Sequence, residues 1–544
     1  MLNKEKLSSI FDSFYKKINH PIGMSVSISE MDSIIFSKSY GIRNSESQQR
    51  INEDTIFNIG SASKIFTTLA VLILVDMGKL ALNNKVVNYI ECFRMKDPRY
   101  KNITVRSLLN HSSGLYGSTF NGGVGYSFRD IRKTFLEELQ ESYLQFSSNE
   151  MAVYCDDGFF LAQILVEKVS GLPYISFLKK YIFDKIGLHR TGKSLGERKH
   201  DKNVAYSLNQ QRTFRNETIS MYGVAGLSSS SRDLCTLAIS LMRDRTLISD
   251  KMYCELLKTQ LSSFFIAAGE RFGFGLGWDF TGKFLDTTVL IKRGKTSEYS
   301  SVFMLLPDVK ISVSILLAEV TDNIRTLEES VLNALTDNNK SAQNIQVHSS
   351  NKVHSEFQGL WVNRADVWEF KQSNKGNNIS AVAKFLGVKK VFTYSPQNET
   401  FTDDNNDVYL LKNIYDNLYF CKLNRTFQTV LPIFKKLELK DFSSANNDIA
   451  DKFSNQLWVR EKAYLDEISY STKTTHMIKP LKVTSYRYES NYPLINFQGV
   501  KMFISPNRAV PLSFAPGQSD LQILKLKNDI VSVKFSGLTY GRIF

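Results

Sequence analysis

One short stretch of the sequence places a nucleophile beside a base. Ser61 and Lys64 stand three residues apart, so on a helix they would share one face. A serine hydroxyl is a poor nucleophile until a neighbouring base takes its proton, and a lysine kept neutral by burial and positive neighbours can be that base. The free N–H groups and positive dipole end of a helix suit an anionic oxygen that forms beside the serine. The pattern therefore indicates nucleophilic serine chemistry assisted by lysine.

The Ser-x-x-Lys spacing alone does not identify a site, because the sequence contains it elsewhere. It also occurs at residues 13–16, 176–179 and 349–352. Ser61 differs from these serines in the glycine that precedes it, Gly60, and in the motifs that follow downstream. We therefore take Ser61 as the candidate nucleophile.

A buried helix and a set of strands are the elements that must hold Ser61 in place. Residues 69–75 are apolar all round, which predicts a helix that passes through a core. Gly78 is predicted to end this helix, because glycine accepts the left-handed conformation found just past helix ends. Between residues 272 and 320 the pattern changes, and it predicts strands at 274–279, 288–292, 301–306 and 311–318.

The chain of 544 residues is too long for one ordinary core, so two or three domains are expected. Hydrophobic residues make up 42% of it, which is typical of a folded globular protein. Residues 336–355 are polar and without periodicity, which predicts a linker. Beyond the linker, short aromatic segments broken by Asn, Asp, Gly and Pro indicate an antiparallel sheet or a small barrel. We therefore predict one domain at 1–335 and a C-terminal β domain at 356–544.

Charge and cysteine content exclude several classes of function. Lysine and arginine outnumber aspartate and glutamate by 68 to 54, which gives a formal net charge of +14. No long basic block accompanies this excess, so dispersed basic side chains are expected and not a nucleic-acid partner. The five cysteines are widely spread and contain no C-x-x-C pair, which indicates neither a zinc site nor a disulfide framework. No metal or other cofactor is predicted.

The sequence does not predict export or a membrane partner. The first residues contain charges where a signal peptide needs an apolar segment. No run approaches the roughly 20 apolar residues of a membrane span. A cytoplasmic protein is therefore expected, and its oligomeric state stays open.

Three motifs give the chain a resemblance to a known superfamily. The sequences S-A-S-K at 61–64, Y-C-D at 154–156 and K-R-G at 292–294 come in the order found in serine β-lactamases and penicillin-binding proteins. The tyrosine resembles the class C and esterase or D-aminopeptidase branch, as do segments 110–115 and 274–278. The resemblance implies an α+β fold, with a β-lactamase/transpeptidase-like catalytic domain in which helices flank an antiparallel sheet. An all-β, lipocalin-like C-terminal domain would follow it.

The resemblance also implies roles for the first two motifs. Ser61 is expected to be the acylated nucleophile, with Lys64 as its base or as an electrostatic partner. Tyr154 would be the second proton-transfer group. Because an ordinary tyrosine titrates near 10, its anion would need the positive charges of Lys64 and Lys292.

The third motif is expected to bind the substrate. Lys292, on an edge strand, would attract a substrate carboxylate, and Gly294 would let the substrate lie close to that strand. The N–H groups of Ser61 and Lys295 would form the oxyanion hole. Arg293 departs from the superfamily, which usually has a small hydroxyl residue at this position.

Asp156 is a second departure, since the superfamily usually has asparagine there. Asparagine offers an N–H donor to the substrate carbonyl, whereas an ionised aspartate has only acceptors. Beside Lys64, the aspartate would also favour the charged form of that lysine. This departure favours an ester, thioester or amine-bearing substrate.

The predicted function is that of a serine hydrolase or acyl-transferase, of the peptidase or esterase type. It would cleave an amide or ester of a small molecule or peptide through an acyl-serine intermediate. Asp156 and Arg293 motivate an alternative, in which the chain is a catalytically decayed binding or regulatory protein on the same scaffold.

Overall fold

A computed structural model gives the conformation of most of the chain up to residue 336 and of the strands beyond it. The structure describes residues 2–18, 22–44, 48–115, 117, 123–144, 146–150, 152–206, 208–209, 212–213, 216–260, 266–267, 272–284, 287–321, 323–336, 359–362, 367–372, 378–383, 389–395, 397, 400–414, 417–424, 429–436, 457–460, 481–482, 484–488, 492–497, 500–505, 508–511, 521–526, 529–535 and 538–542. None of the helices in these ranges is long and apolar enough to cross a membrane.

The described part of the chain contains ten α-helices, all of which end before residue 336. They are α1 (Lys4–Lys16), α2 (Ser63–Asp76), α3 (Val105–Leu109), α4 (Arg132–Gln140), α5 (Asp156–Ser170), α6 (Tyr174–Leu178), α7 (Asp184–Ile186), α8 (Ser231–Met242), α9 (Asp250–Leu257) and α10 (Ile324–Leu335). Short 3-10 turns occupy Gly60–Ala62, Val86–Asn88, Pro98–Asn102, Leu195–Glu197 and Pro307–Val309, and Lys179–Phe183 is a π-helical turn. Helix α2 is the predicted core helix, buried from Ser63 to Leu74, and Gly78 follows its end with a φ of 70°.

The same region contains the strands of a central sheet and several shorter pairs. They are β1 (Met24–Glu30), β2 (Ser33–Tyr40), β3 (Phe57–Asn58), β4 (Val124–Gly125), β5 (Gly192–Lys193), β6 (Leu208–Asn209), β7 (Arg212–Thr213), β8 (Thr218–Ile219), β9 (Leu227–Ser229), β10 (Ile266–Ala267), β11 (Phe272–Gly273), β12 (Phe280–Phe284), β13 (Thr287–Lys295), β14 (Ser300–Leu306) and β15 (Ile311–Leu317). Seven of them form one antiparallel sheet in the order β11-β12-β13-β14-β15-β1-β2. The predicted antiparallel sheet with flanking helices is therefore confirmed.

Helices cover both faces of this sheet. On one face, Phe11 of α1 and Val331 of α10 share a hydrophobic cluster with Ile291 of β13. On the other face, Leu290 of β13 belongs to the larger cluster that contains α2, α5 and α8. Because side chains alternate along a strand, neighbouring residues of β13 reach opposite faces.

The predicted strand at 274–279 is wrong. The chain leaves the sheet after β11 and returns to it only at β12. Gly277 takes a left-handed φ of 81°, and its N–H donates to the carbonyl of Leu109 at 2.8 Å, so the middle of this segment bonds to the end of α3 and not to a strand. Asp279 already lies against β13, because its N–H donates to the carbonyl of Ile291 at 3.0 Å.

The described part of the C-terminal region is all-β, as predicted, and its strands form two sheets. The first is built from β16 (Gly359–Val362), β17 (Val367–Gln372), β18 (Asn378–Ala383), β19 (Lys389–Ser395), β20 (Thr400–Thr402), β21 (Val408–Ile414), β22 (Asn417–Asn424) and β23 (Thr429–Lys436). Since β23 pairs with both β16 and β22, these eight strands close on themselves. The second is built from β24 (Leu457–Arg460), β25 (Leu481–Lys482), β26 (Thr484–Tyr488), β27 (Tyr492–Phe497), β28 (Val500–Ser505), β29 (Arg508–Pro511), β30 (Leu521–Leu526), β31 (Asp529–Phe535) and β32 (Leu538–Arg542).

We expect residues 1–335 to fold without the C-terminal strands. The described clusters of the first region contain residues only up to Leu335, and the cluster in the closed sheet lies between Phe370 and Phe420. The described backbone pairing of β10 with β23 spans two residues. Cleavage within 336–355 should release a 1–335 fragment that keeps its helical circular-dichroism signal. Limited proteolysis with mass spectrometry checks this, and early cuts inside 1–335 would show that the boundary is misplaced.

Candidate active site

Ser61 lies on the 3-10 turn that leads into α2. The turn is held from both sides, because the Ser63 hydroxyl donates to the carbonyl of Gly60 at 2.7 Å and accepts from the N–H of Leu227 at 3.1 Å. Gly60 has a φ of 53°, and a Cβ on it would lie 2.7 Å from the backbone nitrogen of Lys295. Glycine at this position therefore allows the turn to pass directly against the end of β13.

Lys64 is buried one helical turn after the serine, as its spacing predicts. Its Nζ donates to Ser61 Oγ and to the carbonyl of Val224, both at 3.0 Å. The same nitrogen forms an ion pair with Asp156 Oδ1 at 2.6 Å. The lysine therefore contacts the nucleophile while a carboxylate compensates its buried charge.

Tyr154 contacts the nucleophile from the segment before α5. Its hydroxyl donates to Ser61 Oγ at 2.7 Å, and its ring centroid lies 5.0 Å from Lys64 Nζ and 4.9 Å from Lys292 Nζ. Both lysines thus lie beside the tyrosine ring, but the strand that carries Lys292, β13, lies between β12 and β14 and is not the edge strand expected from the sequence. Burial nevertheless raises the pKa of Tyr154 well above its ordinary value, and the charges of Asp156 and Asp279 raise it further. The resting tyrosine is a protonated phenol.

Lys292 has a partner that the sequence analysis did not identify. The Lys292 ammonium, which is completely buried, donates to Asp279 Oδ1, and Asp279 Oδ2 accepts from the N–H of Arg293 at 2.9 Å. Burial lowers the pKa of Lys292 to about 8, although the charge of Asp279 acts in the opposite direction. Asp279 follows directly on the family-like segment 274–278, and this position next to a recognisable segment was the available signal in the sequence.

Gly294 and Lys295 bring β13 to the nucleophile. A Cβ on Gly294 would lie 2.0 Å from the carbonyl oxygen of Ile59, and the Ser301 hydroxyl donates to that same oxygen at 2.7 Å. The strand therefore packs against the residues just before Ser61 without an intervening side chain. This contact places the Lys295 backbone near Ser61, and the oxyanion hole formed by their N–H groups stays a prediction.

Arg293 points away from the site. Its guanidinium forms two hydrogen bonds with Glu328 of α10, from Nε at 2.7 Å and from Nη2 at 2.5 Å. Glu328 is buried beneath the opposite face of the sheet. Because consecutive side chains of β13 point to opposite faces, the Arg293 side chain lies on that face as well. Arg293 thus links the sheet to α10. Its side chain, which departs from the superfamily pattern, does not face Ser61.

His111 packs against the tyrosine and is neutral. The ring centroids of His111 and Tyr154 lie 4.4 Å apart, and His111 Nδ1 accepts from the N–H of Cys155 at 3.0 Å. Its Nε2 has no hydrogen-bond partner among the described residues. Burial lowers the pKa of His111 well below its ordinary value, and Lys292 and Lys64 lower it further. The histidine supports the tyrosine by contact.

The comparison with known proteins decides the family. The sequence profile of the family described as Beta-lactamase matches residues 11–335, which is more than half of the chain. The chain belongs to the beta-lactamase family. The match covers the central sheet, the flanking helices and all the residues described around Ser61.

Individual relatives in the beta-lactamase family match shorter parts of the chain. It is 30% identical over 196 residues to penicillin-binding protein 4* of Bacillus subtilis (strain 168), which covers 35% of this chain and 42% of that protein. It is 25% identical over 205 residues to the esterase EstB of Burkholderia gladioli, covering 34% of this chain and 50% of the esterase. The chain spans about half the length, or less, of the first curated relatives that it matches.

A solved structure shares the fold over most of the chain. This is the octameric penicillin-binding protein homologue from Pyrococcus abyssi, with a TM-score of 0.55 and 22% sequence identity. The match covers 80% of this chain and 99% of that chain, so it extends into the C-terminal β region.

We expect His111 to destabilise this beta-lactamase-family fold in acid. An unfolded histidine takes up a proton below about pH 6.5, whereas the buried His111 stays neutral, so stability should fall as the pH drops below that value. His111→Asn removes this effect while it keeps an acceptor for Cys155 N–H and tolerates the φ of 62° at this position. The wild type should lose about 1.4 kcal/mol per pH unit more than the variant.

Urea unfolding at several pH values, followed by the helical circular-dichroism signal, measures this difference. The signal is suitable because all described helices lie before residue 336. Parallel stability curves for the wild type and His111→Asn between about pH 7 and 5 would contradict the assignment of a neutral, buried His111.

Proposed function

We propose that this chain is a serine hydrolase or acyl-transferase that works through an acyl-Ser61 intermediate. The observation that carries the proposal is the pair of hydrogen bonds to Ser61 Oγ, from Lys64 Nζ at 3.0 Å and from Tyr154 at 2.7 Å. A serine held in this way has a proton-transfer group on each of two sides. The nucleophile is therefore still hydrogen-bonded to both proton-transfer groups, which favours an enzyme over the alternative of a decayed binding protein.

The Lys64–Asp156 pair is the route by which Ser61 loses its proton. Lys64 first gives one proton to Asp156 Oδ1, which lies 2.6 Å from its Nζ, and then takes up the proton of Ser61 as Ser61 Oγ attacks the carbonyl carbon. Lys64 thereby remains an ammonium beside the tetrahedral intermediate. Asp156 serves as the final acceptor, a function that an asparagine at this position cannot perform.

Tyr154 is the acid that the leaving group needs. It is protonated in the resting site, and its hydroxyl lies beside Ser61 Oγ, where the bond to the leaving group breaks. After Tyr154 gives its proton to the leaving group, the lysine ammonium groups that lie 5.0 Å and 4.9 Å from its ring centroid stabilise the phenolate. Water then returns a proton to Tyr154 and attacks the acyl group, and Ser61 regains its own proton from Lys64 and Asp156.

This site favours an ester substrate, or an amide substrate that itself bears an amine. Asp156 presents only acceptors and is already paired with Lys64, so it offers no N–H donor to a substrate amide carbonyl. The relatives include both a penicillin-binding protein and an esterase by name, which supports acyl chemistry without choosing between peptidase and esterase activity.

We expect Ser61→Ala to abolish turnover while the fold remains intact. Removing the hydroxyl eliminates the acyl-enzyme, so the rate should fall at least about 10³-fold, and a fluorophosphonate probe should no longer label the protein. Ser176→Ala is the matched control, because Ser176 begins another Ser-x-x-Lys whose Lys179 pairs with Asp184 at 2.6 Å on the surface. Inactivation by Ser176→Ala alone would place the nucleophile elsewhere. A wild type that no acylating probe labels would support the binding-protein alternative.

We expect Tyr154→Phe to slow the release of poor leaving groups most. The substitution keeps the ring that packs on His111 and removes the hydroxyl, so the fold should persist while general acid catalysis of about 10²–10⁴-fold is lost. A p-nitrophenyl ester, whose leaving group needs no proton, should lose far less of its acylation rate than an alkyl ester of the same acid. Equal losses of the acylation rate for both esters would show that Tyr154 does not protonate the leaving group.

A further inference from the structure

The ammonium group of Lys292 already binds a carboxylate that belongs to the protein itself. Lys292 Nζ donates to Asp279 Oδ1, and this lysine is the third-motif residue expected to attract a substrate carboxylate. A positive charge that has an internal partner is compensated before any substrate arrives. The function of this lysine in substrate binding therefore depends on Asp279.

Asp279 is fixed in this position by three consecutive residues of β13. Its backbone N–H donates to the carbonyl of Ile291 at 3.0 Å, its Oδ1 accepts from Lys292, and its Oδ2 accepts from the N–H of Arg293 at 2.9 Å. Both carboxylate oxygens and the main chain thus have partners on the same strand. Rotating the side chain away from Lys292 would break the bond to Arg293 as well.

The accessible part of each lysine–carboxylate pair is its negative member. The side chains of Lys64 and Lys292 have no exposed surface, whereas those of Asp156 and Asp279 are each 16% exposed. The part of each pair that solvent reaches therefore belongs to the aspartate, and both ammonium groups are covered. The negative charges of the two aspartates would repel an incoming carboxylate, and the weak dielectric screening near buried groups would strengthen this repulsion.

Asp279 is also close enough to the reacting atoms to influence what binds there. Lys292 Nζ lies 4.9 Å from the ring centroid of Tyr154, whose hydroxyl lies 2.7 Å from Ser61 Oγ. A substrate carboxylate held by Lys292 would be placed beside Asp279 and between two carboxylate-bearing pairs.

We propose that Asp279 is a specificity-determining residue that occupies Lys292 and excludes substrates with a carboxylate next to the scissile bond. The site then accepts esters or amides in which the group next to the scissile bond is neutral or carries an ammonium. This inference rests on the proposed serine hydrolase function and names the substrate class of that same site.

Two thioesters that differ in one group test the proposal. Both contain a phenylacetylglycyl acyl group; one has thiolactate as its leaving group, with a free carboxylate, and the other has thiolactamide, with a neutral amide. The released thiol is measured for the wild type and for Asp279→Asn. Asp244→Asn is the control, because it removes the same charge from an exposed pair with Arg243. Circular dichroism verifies that each variant is folded.

The wild type should prefer the neutral thioester by at least about tenfold in kcat/KM. Asp279→Asn should raise the carboxylate-to-amide ratio by at least about tenfold, chiefly through a lower KM for the carboxylate form, and Asp244→Asn should leave the ratio unchanged. A wild type that processes the carboxylate thioester as well as the neutral one overturns the proposal, even if Asp279→Asn fails to fold. A ratio that Asp279→Asn leaves within about twofold of the wild type also overturns it.

A binding measurement separates this inference from the proposed function. In the Ser61→Ala background neither thioester can acylate the protein, so dissociation constants for both can be measured with and without Asp279→Asn. If the wild type cleaves neither thioester, the proposed function fails, and the ratio of dissociation constants still decides the role of Asp279. A shift of about tenfold in this ratio, in favour of the carboxylate thioester, supports the proposed role of Asp279, and an unchanged ratio overturns that role.

Discussion

Two lysine ammonium groups are buried 5.0 Å and 4.9 Å from the centroid of one tyrosine ring, and the pairing of each with a carboxylate makes that burial possible. An unpaired charge in such a place would cost several kcal/mol, which is a large part of the stability of a typical domain. Asp156 compensates Lys64, and Asp279 compensates Lys292. The properties of the neighbouring groups follow from this arrangement. Burial raises the pKa of Tyr154, and the charges of Asp156 and Asp279 raise it further, so its phenol stays protonated beside the two lysines.

The backbone brings these groups together through contacts that only small residues permit. Gly60 lets the turn before α2 touch the end of β13, and Gly294 lets β13 touch the carbonyl of Ile59. Alternation along β13 then sends Lys292 toward the nucleophile and Arg293 toward Glu328 on the opposite face. One strand therefore carries both a site residue and an anchor for the helix that covers the other side of the sheet.

Local spacing and the resemblance to the superfamily predicted which residues surround Ser61, whereas the contact of Asp279 with Lys292 was not predicted. The apolar helix, the serine and its lysine share one local stretch, so their spacing alone predicts that they lie together. The pairing of Asp279 with Lys292 depends on how the chain leaves the sheet after β11, which is set by the left-handed Gly277 and its bond to Leu109. Large apolar residues alternate with glycine in segment 274–279, which predicted a strand, and tertiary hydrogen bonding overrides that local pattern. The closure of eight C-terminal strands is likewise a matter of which edges meet, and strand composition does not determine it.

The cancellation of charges around Ser61 has a consequence for how the protein responds to salt. The chain as a whole carries a formal charge of +14, and dissolved ions screen the field of its exposed groups over about 10 Å at 0.1 M ionic strength. Buried pairs at contact distance lie inside that screening length, and mobile ions do not enter between them. Ionic strength should therefore change how fast charged molecules approach this basic surface, while the chemical step at Ser61 proceeds at nearly the same rate in dilute and in concentrated salt.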